Sequence, residues 1–314
     1  MPPLEERLAL ADLTMRALVA DAEMPPKIGV HPRPAGSFGH AMPAFLRGRD
    51  ASGADDGLGI KWVTGFSGNN ELGLPAISAT VILSDPATGL AIGILDGAPI
   101  TAQRTAAVSG VAIRAFQRPP SGGHAPRVAL IGAGTQARSH LPGIGHVLPG
   151  SEVRLYDTDP ERAAALVDEA RRTPGVGSAD VAASARDAAD GADVVVTVAS
   201  FGPVGQVMTN DWLSPDALVV PVDYATYCSA SVARDAALFL VDDRGQFLAN
   251  RAAGSFDDYP DPSATLGEAL IAGTIRPDGR VVVSHLGVGL ADVVFGRAIL
   301  AAAEAADRGI LLPR

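Results

Sequence analysis

The chain has 314 residues, 47% of them hydrophobic, and a mean hydropathy of +0.20, enough apolar material for sizeable cores in about two domains and too much for a disordered chain. Its net charge of −10 and pI near 5.0 exclude the basic footprint that a phosphate backbone demands, so no nucleic-acid partner is expected. A single cysteine, Cys228, no basic-then-apolar opening and no uncharged run of membrane-spanning length lead to the expectation of a cytoplasmic protein that makes no membrane contact and acts on a small molecule.

Residues 4–20, LEERLALADLTMRALVA, space Leu8, Leu10, Leu13, Met15, Leu18 and Val19 as an amphipathic helix. The period then shortens. KIGVH (27–31), GIKWV (59–63), AISATVILSD (76–85) and AIGILDG (91–97) are short, rich in β-branched residues and bounded by Gly, Pro, Asp and Asn, so they predict a sheet. TAQRTAAVSGVAIRAF (101–116) predicts a helix that Thr101 could cap, and the Pro/Gly-rich stretch 117–126 marks a domain boundary. From Arg127 strands and helices alternate: RVALIGAG, a helix to about His146, EVRLYD, the helix PERAAALVDEARR, DVVVTVA, ALVVPVD and ALFLVDD. That alternation predicts parallel β-α units in a doubly wound sheet. A long apolar helix covers 291–310. The acidic stretch 255–261 predicts a solvated loop, Cys228 a buried or bystander thiol, and the six histidines show no zinc-ligand spacing, so no metal is expected.

Gly132-Ala-Gly134-Thr-Gln-Ala137 follows an apolar strand and opens a helix, the setting that a dinucleotide fingerprint requires. Gly132 permits the tight turn, Gly134 lets the backbone approach a pyrophosphate at the helix N-terminus, and Ala137 allows close helix-to-strand packing. Asp157, ending EVRLYD 25 residues after Gly132, stands where a carboxylate accepts hydrogen bonds from the ribose hydroxyls and repels a 2′-phosphate. NAD is therefore expected. Thr158 and Arg162 nearby could tolerate a phosphate, which keeps NADP open.

Of the 25 Lys and Arg residues only two are lysines, Lys27 and Lys61. Lys61 lies inside GLGIKWVTGF, flanked by Ile60 and Trp62, where an apolar strand is expected. A buried charge is costly without a partner, so Lys61 is expected to serve a site.

HPRP (31–34), AMPAF (41–45), GIKWV, GLP (73–75), DPATGLAIGILDG (85–97), ITAQRTAA (100–107) and IGAGTQARSH together resemble successive blocks of the ornithine cyclodeaminase and mu-crystallin family, from about residue 24 to residue 300. The resemblance implies an α/β protein with a Rossmann domain at 119–290 and a smaller α+β substrate and dimerisation domain with a mixed sheet at 1–118, completed by a helix at 291–314. It implies a homodimer and a bound nicotinamide that moves hydride at an amino-acid Cα. Arg33, Lys61 and Arg104 match the positions that hold the substrate carboxylate, and Met42 in AMPAF is placed beside them. Asp223, closing ALVVPVD, matches the catalytic carboxylate, with Lys61 as a second catalytic candidate. On the cofactor side the resemblance adds Thr135, Gln136, Thr197, Ala199, Ser200 and Gly287.

One departure is informative. Cyclodeaminases carry a Pro-Gly-Lys-Thr-Glu type run after the aspartate, whereas Asp223 is followed by YATYCSA. The expectation is thus an NAD-dependent enzyme transferring hydride at the Cα–N bond of an amino or imino acid. A cyclodeaminase making a cyclic imino acid with release of ammonia is the alternative, and a non-catalytic NAD(P)H-binding protein the alternative of another class.

Overall fold

The computed structural model describes residues 1–50, 52–120, 122–199 and 205–311. The chain forms two compact units, Met1–Arg104 with Val288–Arg314, and Thr105–Gly287.

In the first unit, α1 (Leu4–Ala20) turns Leu8, Ala11 and Met15 inward, while Leu13 and Val19 of the expected stripe stay exposed. The inward residues follow the i, i+3, i+7 spacing of one helix face. Six strands follow: β1 (Ala22–Glu23), β2 (Ile28–Val30), β3 (Phe38–Leu46), β4 (Gly57–Gly65), β5 (Ile77–Ser84) and β6 (Ala91–Asp96). They pair in the order β1-β3-β4-β5-β6, with β2 also on β3. Every pairing is antiparallel, so the sheet is not the mixed one expected. Short connections allow antiparallel neighbours but cannot make a parallel crossover. β3 was hidden in the sequence by Pro43, which sits inside the strand opposite Ile60. Helix α2 (Gly97–Phe116) begins four residues before the expected start. Asp96 Oδ1 accepts the Ala98 N–H at 3.0 Å, Pro99 is tolerated in the first turn, and the Thr101 hydroxyl donates to Gly97 O within the helix rather than capping it.

The buried face of β4 carries Gly57, Gly59, Lys61, Val63 and Gly65, alternating with a more exposed face that carries Ile60 and Trp62. Glycine on that inner face lets the C-terminal helix (Gly289–Ala305) lie close to the sheet. A Cβ at Gly59 would stand 2.7 Å from Ile82 O and 3.1 Å from a methyl of Val293, and one at helix residue Gly289 would stand 2.7 Å from Met42 O.

The second unit is an eight-stranded, all-parallel sheet. Its strands are β7 (Arg127–Ile131), β8 (Ser151–Tyr156), β9 (Val176–Val181), β10 (Val194–Thr197), β11 (Leu218–Pro221), β12 (Leu238–Val241), β13 (Ala264–Thr265) and β14 (Val281–Ser284). The order is β13-β12-β14-β11-β10-β7-β8-β9, so the chain reverses direction between β7 and β10, a topological switch point. The connecting helices include α3 (Thr135–Val147), α4 (Pro160–Ala170), α5 (Ala185–Ala189), α6 (Ala230–Arg234), α7 (Arg244–Ala252) and α8 (Leu266–Ala272). β14 runs between β11 and β12 and was missed in the sequence. Residues 255–261 are more than a solvated loop: Phe256 and Tyr259 are buried with Phe239 and Phe247, while Asp257, Asp258 and Asp261 point out. Among the described residues no helix is long and apolar enough to cross a membrane.

Gly59→Ala should lower the thermal midpoint, by about 1–3 kcal/mol of stability, because backbone on one side and the C-terminal helix on the other leave its Cβ no room. A midpoint equal to that of the unsubstituted protein would contradict the close approach.

Candidate active site

Lys61 sits midway along β4, opposite Met42 on β3 and Val81 on β5. Strand alternation turns its side chain to the inner face, where it is 1% exposed. The close approach of the C-terminal helix brings Asp292, 0% exposed, to Lys61: Nζ and Oδ2 are 2.6 Å apart. Arg104, reaching from α2, places Nε 3.4 Å from the other oxygen, Oδ1. That is a charge contact without hydrogen-bond geometry, so the buried Arg104 Nε–H keeps donor capacity. Thr101 adds a hydroxyl 3.4 Å from Lys61 Nζ. Burial pushes the Lys61 ammonium down to about 7; Asp292 opposes that shift and Arg104 adds to it. Two cations share one acid, leaving a buried centre with one positive charge in excess when Lys61 is protonated.

Met42 is the cross-strand neighbour of Lys61 on the same buried face. Arg33 is different. It is exposed on the segment between β2 and β3 and does not join the buried group.

In the second unit, the turn after β7 has the geometry that a dinucleotide needs. Gly132 has φ +109°, and a Cβ there would lie 2.8 Å from the Val198 carbonyl carbon, so only glycine fits. Gly134 is the N-cap of α3, with open space where a side chain would stand and no side chain capping the first-turn amides. Those free N–H groups suit an anion. Thr135 is exposed beside them, Gln136 has a buried Oε1 with no hydrogen-bond partner among the described residues, and Ala137 is fully buried against the sheet. Asp157 Oδ2 accepts the Ala133 N–H at 2.7 Å and Oδ1 accepts the Asp159 N–H at 2.9 Å, which fixes the carboxylate beside the glycine turn. Arg162 is drawn into an ion pair with Asp159 at 3.3 Å, and Thr158 is exposed.

Asp223 follows β11 and is 1% exposed. The Thr197 hydroxyl donates to Oδ1 at 2.7 Å and the Ala199 N–H to Oδ2 at 3.3 Å. Thr197 is thus turned to Asp223 rather than outward. Burial raises the Asp223 carboxyl to about 7, with both hydrogen bonds opposing the shift. Tyr224, next in the chain, holds φ +59° and stacks on Phe256. Non-glycine residues with positive φ are uncommon and cluster at functional sites.

Gly287, with φ +81°, closes the turn after β14. Its N–H donates to Asp242 Oδ2 at 2.7 Å and its carbonyl accepts from Gln246 Nε2 at 3.0 Å. Two of the histidines brace the same region. With His140 Nδ1–H donating to the Gln136 carbonyl at 2.6 Å, Nε2 accepts from Ser109, whose oxygen accepts from His285 Nε2–H, both contacts at 2.8 Å. Burial holds His140 down at about 4, so it stays neutral in this chain of bonds. Ser200 lies outside the described residues. Among the described residues no group of three or more His, Cys, Asp or Glu is arranged to hold a metal ion.

Asp292, Asp242, Gln246 and Ser109 were missed. Asp292 had a signal: an acid within LADVVFG, as misplaced in its apolar helix as Lys61 is in its strand.

A parallel sheet with a dinucleotide turn, and an antiparallel sheet with a buried cationic centre, define a two-part enzyme-like architecture of dinucleotide-binding type. Residues 4–238 match the model of the ornithine cyclodeaminase/mu-crystallin family, and the chain belongs to that family. It is 33% identical to the nodulation efficiency protein NfeD of Rhizobium meliloti over 99% of this chain and 94% of that one. It is also 33% identical to the ketimine reductase mu-crystallin of Rattus norvegicus, in a match spanning 56% of this chain and only 51% of that one. Its fold superimposes on the Delta(1)-pyrroline-2-carboxylate reductase of Thermococcus litoralis in complex with NADH and L-proline, with TM-score 0.84 and 22% identity over 99% and 96% of the two chains. An archaeal alanine dehydrogenase dimer with bound NAD gives TM-score 0.82 and 25% identity over 99% and 95%.

The Asp223 shift has a consequence for stability. Between its ordinary value of 3.8 and about 7 the folded chain holds a proton that the unfolded chain has released, so this group's contribution falls as pH rises through that window. Urea midpoints measured across that range should decline less steeply in Asp223→Asn than in the unsubstituted protein. Identical slopes would mean that Asp223 titrates normally.

Proposed function

We propose that this protein is an NAD(H)-dependent enzyme that transfers hydride at the Cα–N bond of an amino or imino acid. The observation that carries the reading is the buried Lys61–Asp292–Arg104 group, which has one positive charge in excess and so accepts one carboxylate. Arginine offers a planar fork to that carboxylate and lysine a compact charge. Arg33 is assigned as a third, exposed carboxylate contact and Met42 as an apolar wall beside Lys61.

Gly132, Gly134, Thr135, Gln136 and Ala137 would hold the pyrophosphate at the start of α3, with Asp157 on the ribose hydroxyls and Ala199, Ser200 and Gly287 on the nicotinamide side. Asp157 favours NAD over NADP, and Arg162 lies in an exposed ion pair with Asp159. A bound nicotinamide supplies the hydride acceptor or donor. Asp223 handles the proton. In oxidation its carboxylate takes a proton from the substrate ammonium, so that the nitrogen lone pair can form the C=N bond as hydride leaves Cα. In reduction its carboxylic acid returns a proton to nitrogen while hydride enters at Cα. A value near 7 suits both directions; burial raises the carboxyl to it and the Thr197 hydrogen bond restrains the rise.

Imine reduction or amino-acid dehydrogenation is favoured over cyclodeamination because YATYCSA replaces the cyclodeaminase run, and the Tyr224 ring packs on Phe256. The outer face of the first unit's sheet, with Ile60, Trp62, Ile82, Ile92 and Ile94, supports a homodimer joined through that face.

Incubation with a panel of amino acids and NAD, and of cyclic imino acids and NADH, with products identified, tests the reading. Formation of a cyclic imino acid without net NADH would mean cyclodeamination. Inertness in every combination would overturn the enzymatic reading in favour of a dinucleotide-binding protein. Lys61→Met should cut kcat/KM roughly a hundredfold, the scale of losing one buried charged contact, while leaving NADH affinity unchanged. Full activity in a stable Lys61→Met variant would remove Lys61 from the site. Imine reduction needs both Asp223 and Lys61 protonated, so its kcat/KM should fall as pH rises through about 7. A flat profile from pH 6 to 9 would contradict both assignments.

A further inference from the structure

We infer that Asp292 is a positioning residue that keeps Lys61 charged and aimed, and thereby sets the affinity for the substrate carboxylate. This rests on the substrate reading above. Nothing in packing explains Asp292: it is completely buried and followed along its helix by Val293, Val294 and Phe295, all buried too. Its place in the first turn of the C-terminal helix favours the anion, because the helix dipole puts partial positive charge there.

The groups facing Lys61 are Asp292 from the C-terminal helix, Arg104 and Thr101 from α2, Lys27 just before β2, and His40 on β3; its β5 neighbour Val81 carries no charge. Of these, Asp292 alone is an anion. Without it a fully buried ammonium would face Arg104 and Lys27 with no counter-charge, and desolvation would drive off its proton. With it, Lys61 keeps its proton, so a charged ammonium as well as the Arg104 guanidinium is offered to one carboxylate. Even with Asp292 in place Lys61 is held down at about 7, which leaves little margin at neutral pH.

The composition supplies a direct test, since the chain has only two lysines. Lysine-selective isotope labelling of the full protein gives two side-chain signals by NMR, and Lys27→Arg assigns them. The Lys61 signal should titrate near pH 7 in the unsubstituted protein, and lower by about one unit or more in Asp292→Asn, with Asp292→Glu restoring most of the shift. At neutral pH Asp292→Asn should raise KM for a carboxylate substrate roughly tenfold or more, change kcat less, and recover as pH is lowered. A folded Asp292→Asn variant whose Lys61 titrates as before would overturn the inference. Should Asp292→Asn fail to fold, the double variant Lys61→Met, Asp292→Asn must be more stable than Asp292→Asn alone; equal instability of both overturns the inference as well. If the unsubstituted protein turned over no amino or imino acid, the substrate reading would fail, while the Lys61 titration would still decide the role of Asp292.

Discussion

A buried ammonium facing a buried carboxylate at 2.6 Å is the constraint on which the first unit depends. Removing both charges from water costs several kcal/mol, which their attraction offsets only at short range and in good alignment. That requirement accounts for the glycines. Gly57 and Gly59 strip side chains from the inner face of β4, and Gly289 and Gly296 do the same on the helix, so that Asp292 reaches Lys61. Larger residues at these places would add apolar contact but hold the two charges apart. The fold gives up packing volume to bring one charged pair together.

The second unit applies the same physics to a single acid. Among the described residues no cation pairs with Asp223, so burial raises its carboxyl, and hydrogen bonds from Thr197, the Ala199 amide and its own backbone restrain the rise. Lys61 and Asp223 are thus moved in opposite directions from their ordinary values and both stop near 7. Groups tuned in this way are suited to proton exchange at neutral pH. The rest of the unit is rigid support: Gly132 held against Val198, Asp157 fixed by Ala133 and Asp159, and the Gly287 turn clamped by Asp242 and Gln246.

Much of this was legible in the sequence, where local chemistry determines the outcome. The turn Gly132–Gly134, the acid at 157 and the alternating strands and helices are set by short-range rules, and Lys61 stood out because the chain otherwise uses arginine. What was not legible depends on contacts far apart in sequence. Asp292 lies 231 positions after Lys61, and no local pattern links them. β14 was overlooked because it inserts between β11 and β12, out of chain order. The start of α2 was misplaced because Thr101 looks like a cap, while Asp96 and Pro99 in fact open the helix earlier.

Under the function proposed, one excess positive charge on the Lys61–Asp292–Arg104 group recognises a carboxylate. Calorimetric titration of the NADH-loaded protein with an amino-acid product and with its neutral amide measures that charge directly. The carboxylate should bind at least about tenfold more tightly than the amide, the scale of one charge-assisted contact, and the preference should shrink as pH rises past the point where Lys61 loses its proton. Equal affinity for the two ligands below pH 7, where Lys61 holds its proton, would contradict it.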